Sequence, residues 1–279
     1  MGELHLAVKY GQKAIQIGED TNLSQLSIPA IGCFAKINMD NENYDESLHY
    51  FHKALQASNK NNRYIQRAYI NKELAELYFY RNEFQLGMQA AQKAISISQK
   101  HNLYIIENEA MINLSWLYRA TNQLDKALNT VNQVIDFLNE KKHAPLIIKA
   151  KISKALILCD KGQLDEAMAL TNNTLVFAKE NKFQKQIIQL NNSIAKLYGK
   201  KENYKNAFIY QQKAEQLQQE LLKEEKAKII QLAESNSGIA LKQNQNSSQP
   251  IKKQIIFLVF LFSCVGLGLL IYGLSLIHI

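Results

Sequence analysis

The sequence has little of what interrupts helices or cross-links small folds. Only 3 prolines and 11 glycines occur in 279 residues, and since both residues break helices, this favours long helices joined by short turns. The 3 cysteines, Cys33, Cys159 and Cys264, are far apart and odd in number. They therefore predict neither a disulfide framework nor the closely spaced cysteines of a zinc site.

Arginine is also scarce, although the chain is basic overall. The formal net charge is +8 and the isoelectric point is about 9.2, values that invite a nucleic-acid partner. The arginines are Arg63, Arg67, Arg81 and Arg119. Phosphate recognition favours clustered arginine and lysine, whereas the lysines here are spread evenly along the chain. We therefore expect a solvated lysine-rich surface and no nucleic-acid partner.

Motifs that carry catalysis are missing as well. The sequence contains no phosphate-binding glycine loop, zinc-protease helix motif, serine-hydrolase elbow or dinucleotide fingerprint. His49 and His52 lie three residues apart on one predicted helix and could share a metal ion, but two histidines at this spacing do not by themselves define a metal site. The sequence thus predicts no catalytic residue, no cofactor and no metal site, and this chain is not expected to be an enzyme.

Small side chains recur along the chain at an interval of 40 residues. One column consists of Ala7, Ser47, Gly87, Ala127, Ala167 and Ala207. A second column, seven residues further on, consists of Ala14, Ala54, Ala94, Val134, Thr174 and Ala214. Six registers without an insertion or deletion indicate a tandem structural repeat.

Each repeat has the pattern of a helical hairpin. Tyr64 to Arg81 and Phe84 to Lys100 both carry apolar residues at three- and four-residue spacing, with the polar turn Asn82-Glu83 between them. Small residues at fixed positions allow the two antiparallel helices to approach closely. The sequence therefore predicts an all-α solenoid of about five 40-residue helix-turn-helix repeats over residues 1–222.

The pattern within one unit resembles the tetratricopeptide repeat. The resemblance rests on a large-small pair, two aromatic residues and two small residues, namely Leu74-Ala75, Tyr78, Phe84, Gly87 and Ala94. It extends from about Glu3 to Leu222. The period of 40 exceeds the family's usual 34, and the proline that often ends the second helix is missing.

This resemblance implies a binding groove and no chemistry. In the family, the first helix of each pair lines a concave groove that holds a protein or peptide partner. The equivalent positions here are Lys36, Tyr69, Lys72, Asn113, Trp116, Arg119, Lys149, Ser153 and Lys196. Trp116 is the only tryptophan, and tryptophan and arginine are favoured binding anchors. The carboxylate-clamp pattern known in the family is not reproduced in full.

The C-terminal residues have a different composition. Residues 223–234 read as a charged helical extension or a short coiled coil, which leaves a homodimer open. Residues 235–254, rich in Ser, Asn and Gln, read as a flexible juxtamembrane linker. Residues 255–277 contain no charged residue and are long enough to cross a hydrocarbon core about 30 Å thick as one helix. The sequence thus predicts a single-pass anchor in a lipid bilayer.

This order of segments resembles the sensor region of bacterial membrane signalling proteins that carry tetratricopeptide repeats. In those proteins the repeats are periplasmic, and a histidine-kinase or helix-turn-helix output domain follows the span. Such an output domain is absent here. A tail-anchored cytoplasmic adaptor stays open, since Lys252-Lys253 before the span favour a cytoplasmic array, and so does a subunit of an enzyme or an assembly factor.

Both ends of the sequence suggest an interior fragment. Glu3 to Gly18 match only the second helix of a repeat, and Leu274 to Ile279 resemble translated sequencing-adapter read-through. The partner, the side of the membrane and the oligomeric state are not indicated by the sequence.

Overall fold

The computed structural model describes residues 24–243, which form helices and short turns. Ten helices occur in this range: α1 (Ser24–Asp40), α2 (Tyr44–Lys60), α3 (Tyr64–Tyr80), α4 (Phe84–Lys100), α5 (Tyr104–Ala120), α6 (Leu124–Lys141), α7 (Ala144–Asp160), α8 (Leu164–Glu180), α9 (Gln184–Lys200) and α10 (Tyr204–Gln243). None of these ten is long and apolar enough to cross a membrane. The predicted span 255–277 lies outside the described residues, as do Ala7 and Ala14.

The chain divides into two compact units. Of the described residues, one unit consists of residues 62–218, and the other combines residues 24–61 with residues 219–243. Within the latter, α1 packs on α2 around the fully buried Phe34 and Phe51, and the Phe34 ring meets the Tyr50 ring edge-on at 4.6 Å. Edge-to-face aromatic pairs of this kind add to the burial of their surface.

Residues 62–218 form a stack of helix pairs with unequal sides. Each helix from α3 to α8 contacts the next one along the chain. The first helices of successive pairs, α3, α5, α7 and α9, also contact one another in order, whereas the second helices α4, α6 and α8 do not. The first helices therefore lie on the more tightly packed side of this unit. The predicted all-α array of helical hairpins is confirmed.

The two columns of small residues lie in the seams of this stack. Ser47, Gly87, Ala127 and Ala167 are buried, and Ala207 in the last pair is half-buried. The second column is buried at every described position, from Ala54 to Ala214. A Cβ atom built on Gly87 would lie 2.6 Å from Cδ2 of Leu117, which is closer than carbon atoms pack. A side chain at position 87 would therefore force Leu117 on the neighbouring helix to move.

One turn geometry ends the helices at intervals of 20 residues. The residue in the left-handed conformation is Glu42, Asn62, Asn82, Asn102, Asn122, Lys142, Gly162, Lys182 and Glu202 in successive turns. In the turn after α3, Glu83 N–H donates to the Tyr78 carbonyl at 2.9 Å and Asn82 N–H to the Phe79 carbonyl at 3.1 Å. This pair of bonds is a Schellman motif, which ends a helix without proline. The sequence predicts a turn of two residues, Asn82-Glu83. The turn has three residues, 81–83, because α3 ends at Tyr80.

The left-handed turn position makes a first prediction. Lys182 has φ 58°, a conformation that costs a non-glycine residue about 1–2 kcal/mol. Glycine avoids this cost, but its greater freedom in the unfolded chain lowers stability by about 0.4–1 kcal/mol. We expect Lys182→Gly to raise the free energy of unfolding by about 0.5–1 kcal/mol. Gly162→Ala is the matched change, since nothing lies within 4 Å of the added Cβ, and should lower it. If urea titrations give both variants the same free energy of unfolding as the parent, the left-handed turn position does not affect stability as predicted.

Helix α10 is longer than the sequence predicts. It continues to Gln243, past Ser235, where the linker is predicted to begin. The single Gly238 costs a helix only about 1 kcal/mol, and Pro250 comes later, so nothing in between forces the helix to end. The remainder of the predicted linker lies outside the described residues, and the limits of the C-terminal segments stay predictions.

Candidate partner-binding face

The first helices of residues 62–218 share one surface, which we name the first-helix face. It consists of Tyr69, Lys72, Glu76, Phe79 and Tyr80 on α3 and of the residues at the same repeat positions on α5, α7 and α9. Contacts between side chains of successive first helices run along it. Six of the nine predicted groove residues lie on this surface, and the other three are Asn113, Ser153 and Lys36.

At the α3 end of the face, Lys72 is enclosed by acidic neighbours. Its Nζ lies 2.5 Å from Oε1 of Glu73 and 3.5 Å from Oε2 of Glu109 on α5, and 4.4 Å from the centroid of the Tyr69 ring. Burial by itself lowers the pKa of Lys72, but the charges of Glu73, Glu109 and Tyr69 outweigh it and leave the pKa raised. The ammonium group therefore stays protonated, and its positive charge is balanced by carboxylates of the protein itself.

Asn113 joins the first two helices of the face from below. It is 1% exposed, and its Nδ2 donates to the main-chain oxygen of Lys72 at 3.1 Å. Its Oδ1 is buried and accepts no hydrogen bond within the described part of the chain. The structure thus gives Asn113 a role in fixing α5 to α3, and it is not open on the surface.

The middle of the face is an aromatic cluster around Trp116. The Phe79 ring of α3 lies 6.1 Å from the Trp116 ring, and Nζ of Lys149 on α7 lies 5.0 Å from the Trp116 ring centroid. An ammonium group over an indole ring is attracted by the negative face of the ring. Trp116 is half-buried, so part of the ring stays available for contact.

Beyond this cluster the face becomes cationic. Nε of Arg119 donates to Oδ2 of Asp160 on α7 at 2.5 Å. Lys196 on α9 is exposed, but surrounding protein atoms lower its pKa, and the positive charge of Arg119 lowers it further. Within the described residues, no carboxylate lies within ion-pair distance of Lys149 or Lys196.

Like Asn113, two further predicted groove residues lie off the face. Ser153 is buried, and its Oγ lies at hydrogen-bond distance, 2.9 Å, from the Oγ of Ser115, so it joins α7 to α5 and faces no ligand. Lys36 belongs to the other compact unit, where its Nζ lies 3.5 Å from Oδ1 of Asp40.

The structure adds residues to the face that the sequence analysis did not select. Phe79 contacts Trp116, Glu109 approaches Lys72, and Asp160 holds Arg119. Across residues 24–243, no group of three or more His, Cys, Asp or Glu side chains is placed to hold a metal ion.

A family profile of the tetratricopeptide repeat matches residues 188–221, in the last helix pair. No curated protein matches the chain. The solved structure of BtubC (BKLC) from P. vanneervenii matches at a TM-score of 0.57 with 11% identity, over 77% of this chain and 89% of that protein. The described array is thus a tetratricopeptide-like α-solenoid.

Two further solved structures are similar to this chain. Aspartyl phosphate phosphatase F from Bacillus subtilis has a TM-score of 0.58 and 17% identity over 74% of this chain and 54% of that protein. A Rap protein complexed with competence and sporulation factor has a TM-score of 0.59 and 15% identity over 77% of this chain and 64% of that protein. The chain spans less than two thirds of both, and at these identities the likeness concerns the fold.

Proposed function

We propose that the first-helix face binds a segment of a protein partner, so that the chain acts as an interaction scaffold and not as an enzyme. The observation that carries this proposal is the half-buried Trp116 ring, which lies between Phe79 and Lys149 in the middle of the face. A rigid aromatic ring that keeps an open edge is the kind of side chain that dominates binding energy at interfaces. The similar Rap structure, which holds a factor, supports the same use of the fold.

The membrane context is a finer proposal that rests on the sequence. We infer that residues 255–277 tether the scaffold to a bilayer, and that the repeats are the periplasmic sensor arm of a bacterial signalling protein. The support is the uncharged length of this segment and the order of segments. Protease treatment of intact cells tests the side, since a periplasmic array is cut only after the outer barrier is opened. If the gene stops directly after the span, the tail-anchored adaptor replaces the sensor arm.

The binding proposal predicts the effect of removing the indole. Random octapeptides displayed on phage are selected on the full chain, and synthetic copies of the binders are titrated against Trp116→Ala. We expect their affinity to fall more than about tenfold, because truncating a central aromatic anchor costs 2 kcal/mol or more. Helix content measured by circular dichroism should not change, because alanine has the highest helix propensity and the other core residues around Ile112 and Val131 remain in place.

Tyr204→Ala is the control, because Tyr204 is an exposed aromatic residue on α10 and not part of the face. It should leave the affinity of the selected peptides unchanged. Peptides that bind Trp116→Ala as tightly as the parent would show that the face is not the binding site.

A further inference from the structure

The two ends of the first-helix face differ in the state of their charges. At the α3 end, the positive charge of Lys72 is matched by Glu73 and Glu109 at 2.5 and 3.5 Å. At the α9 end, Lys196 has no carboxylate within ion-pair distance among the described residues, and the positive charge of Arg119 acts on it. A bound anion is therefore favoured at the α9 end and has no unmatched cation to meet at the α3 end.

An uncommitted amide lies beside this cation. Asn192 precedes Lys196 by four residues on α9, so the two side chains lie one helical turn apart on the same surface. Asn192 is half-buried, and its Oδ1 is shielded from solvent without a hydrogen-bond partner in the described chain. Rotating this amide toward a ligand would therefore break no hydrogen bond of its carbonyl oxygen.

Two positive charges also act on one region from different helices. Arg119 on α5 lies close enough for its charge to act on Lys196 of α9. The only acidic residue on the face of α7 or α9 is Asp160, whose Oδ2 accepts from Nε of Arg119. Like charges that are brought together in a partly desolvated place cost energy, which a ligand carboxylate would relieve. Lysine and arginine donate strong charge-assisted hydrogen bonds to carboxylates.

We propose that this end of the face is a subsite for an acidic side chain of the partner, which deepens, and rests on, the scaffold function proposed above. Lys196 and Arg119 bind the carboxylate, Asn192 bonds to the adjacent main chain of the partner, and Trp116 with Phe79 holds an apolar side chain of the same segment. The partner is thus an acidic protein segment that also carries an apolar anchor.

The spacing of the helices sets the spacing in this segment. Packed helices lie about 8–10 Å apart, and an extended chain advances about 3.3–3.6 Å per residue. A carboxylate over α7, between Arg119 and Lys196, lies about one helix spacing from Trp116 on α5. We therefore expect the acidic residue and the apolar anchor to be separated by about three residues.

The test uses the octapeptides selected on the full chain. The expected result is enrichment of Asp or Glu about three positions from an aromatic or aliphatic residue. A synthetic copy with an amidated C-terminus should bind about tenfold more weakly to Lys196→Gln and should regain most of its affinity with Lys196→Arg. Lys179→Gln, at an exposed lysine of α8 off the face, is the matched control and should have no effect.

Each outcome separates the two proposals. Peptides that lose affinity in Trp116→Ala but show no acidic enrichment, or bind Lys196→Gln normally, overturn the carboxylate subsite and leave the scaffold function standing. Peptides that require a free C-terminal carboxylate also overturn it, because the subsite is assigned to an internal side chain. If no selected peptide depends on Trp116, both proposals fail.

Discussion

Replacing Lys72 with alanine is expected to lower the free energy of unfolding by about 3–5 kcal/mol, because it removes the cation of a buried ion pair. Glu73 is 2% exposed and would lose an ammonium partner at 2.5 Å. Glu109 on the next first helix would lose its contact at 3.5 Å. A carboxylate left in such a place is poorly solvated, so the folded state carries the full cost. Urea titration followed by circular dichroism measures the change.

Two variants separate charge from packing at this position. Lys93→Ala removes an exposed lysine of α4 and should change stability by less than about 0.5 kcal/mol. The double variant Lys72→Met with Glu73→Leu removes both charges while keeping their volume, and should recover most of the loss. If Lys72→Ala were as mild as Lys93→Ala, the buried network would not stabilise the junction of α3 and α5.

The substitution Ala167→Leu is expected to destabilise the array by about 1–3 kcal/mol or more, because it overfills a closed seam. Ala167 has no exposed surface and packs with Ala155, Leu158 and Leu197. Three added carbon atoms would force α8 away from α7 and α9. The loss should appear as a lower urea midpoint, with a slope similar to that of the parent.

The same substitution two residues along α8 provides the control. Ala169 is exposed, so Ala169→Leu should change stability by less than about 0.5 kcal/mol. Equal effects of the two changes would mean that the 40-residue column of small residues does not hold the helices at close approach.

The fold could be predicted because the repeat is regular at the level of single residues. The two columns of small residues, which include Ala127 and Val134, predict which side of each second helix is buried. Both of these residues are fully buried in the structure. Asn62, Asn82 and Asn102, at intervals of 20 residues, signal the left-handed turns, since asparagine tolerates this conformation. Lys142 and Lys182 give no such signal, and their conformation follows only from the positions of the neighbouring helices.

The candidate site was predicted less completely, because residues that contact each other across neighbouring first helices are not separated by the repeat period of 40 residues. Arg119 meets Asp160 and Lys72 meets Asn113, both 41 residues apart, whereas the sequence comparison aligned residues 40 apart. An offset of one residue between neighbouring first helices would have revealed Asp160. The exposed turns show a different shift, since Lys161 pairs with Asp125, 36 residues away.

Ser153 illustrates a second reason for the mismatch. Its repeat position, shared with Glu73, Asn113 and Ser193, is buried in each described pair of residues 62–218. This position lies between neighbouring first helices and not on their open surface. Asn113 and Ser153 form hydrogen bonds to a neighbouring first helix, with the Lys72 main chain and with Ser115. Polarity and spacing in the sequence do not distinguish such residues from residues of a groove.

The single tryptophan allows the central claim to be measured directly. Since Trp116 is the only Trp in the chain, its fluorescence reports the first-helix face and nothing else. Titration with a selected peptide that lacks tryptophan should shift the emission of Trp116 to the blue and reduce its quenching by acrylamide. The peptide concentration at half-maximal change should agree with the dissociation constant measured by calorimetry. Calorimetric binding without any change in the emission or quenching of Trp116 would contradict a partner site on this face.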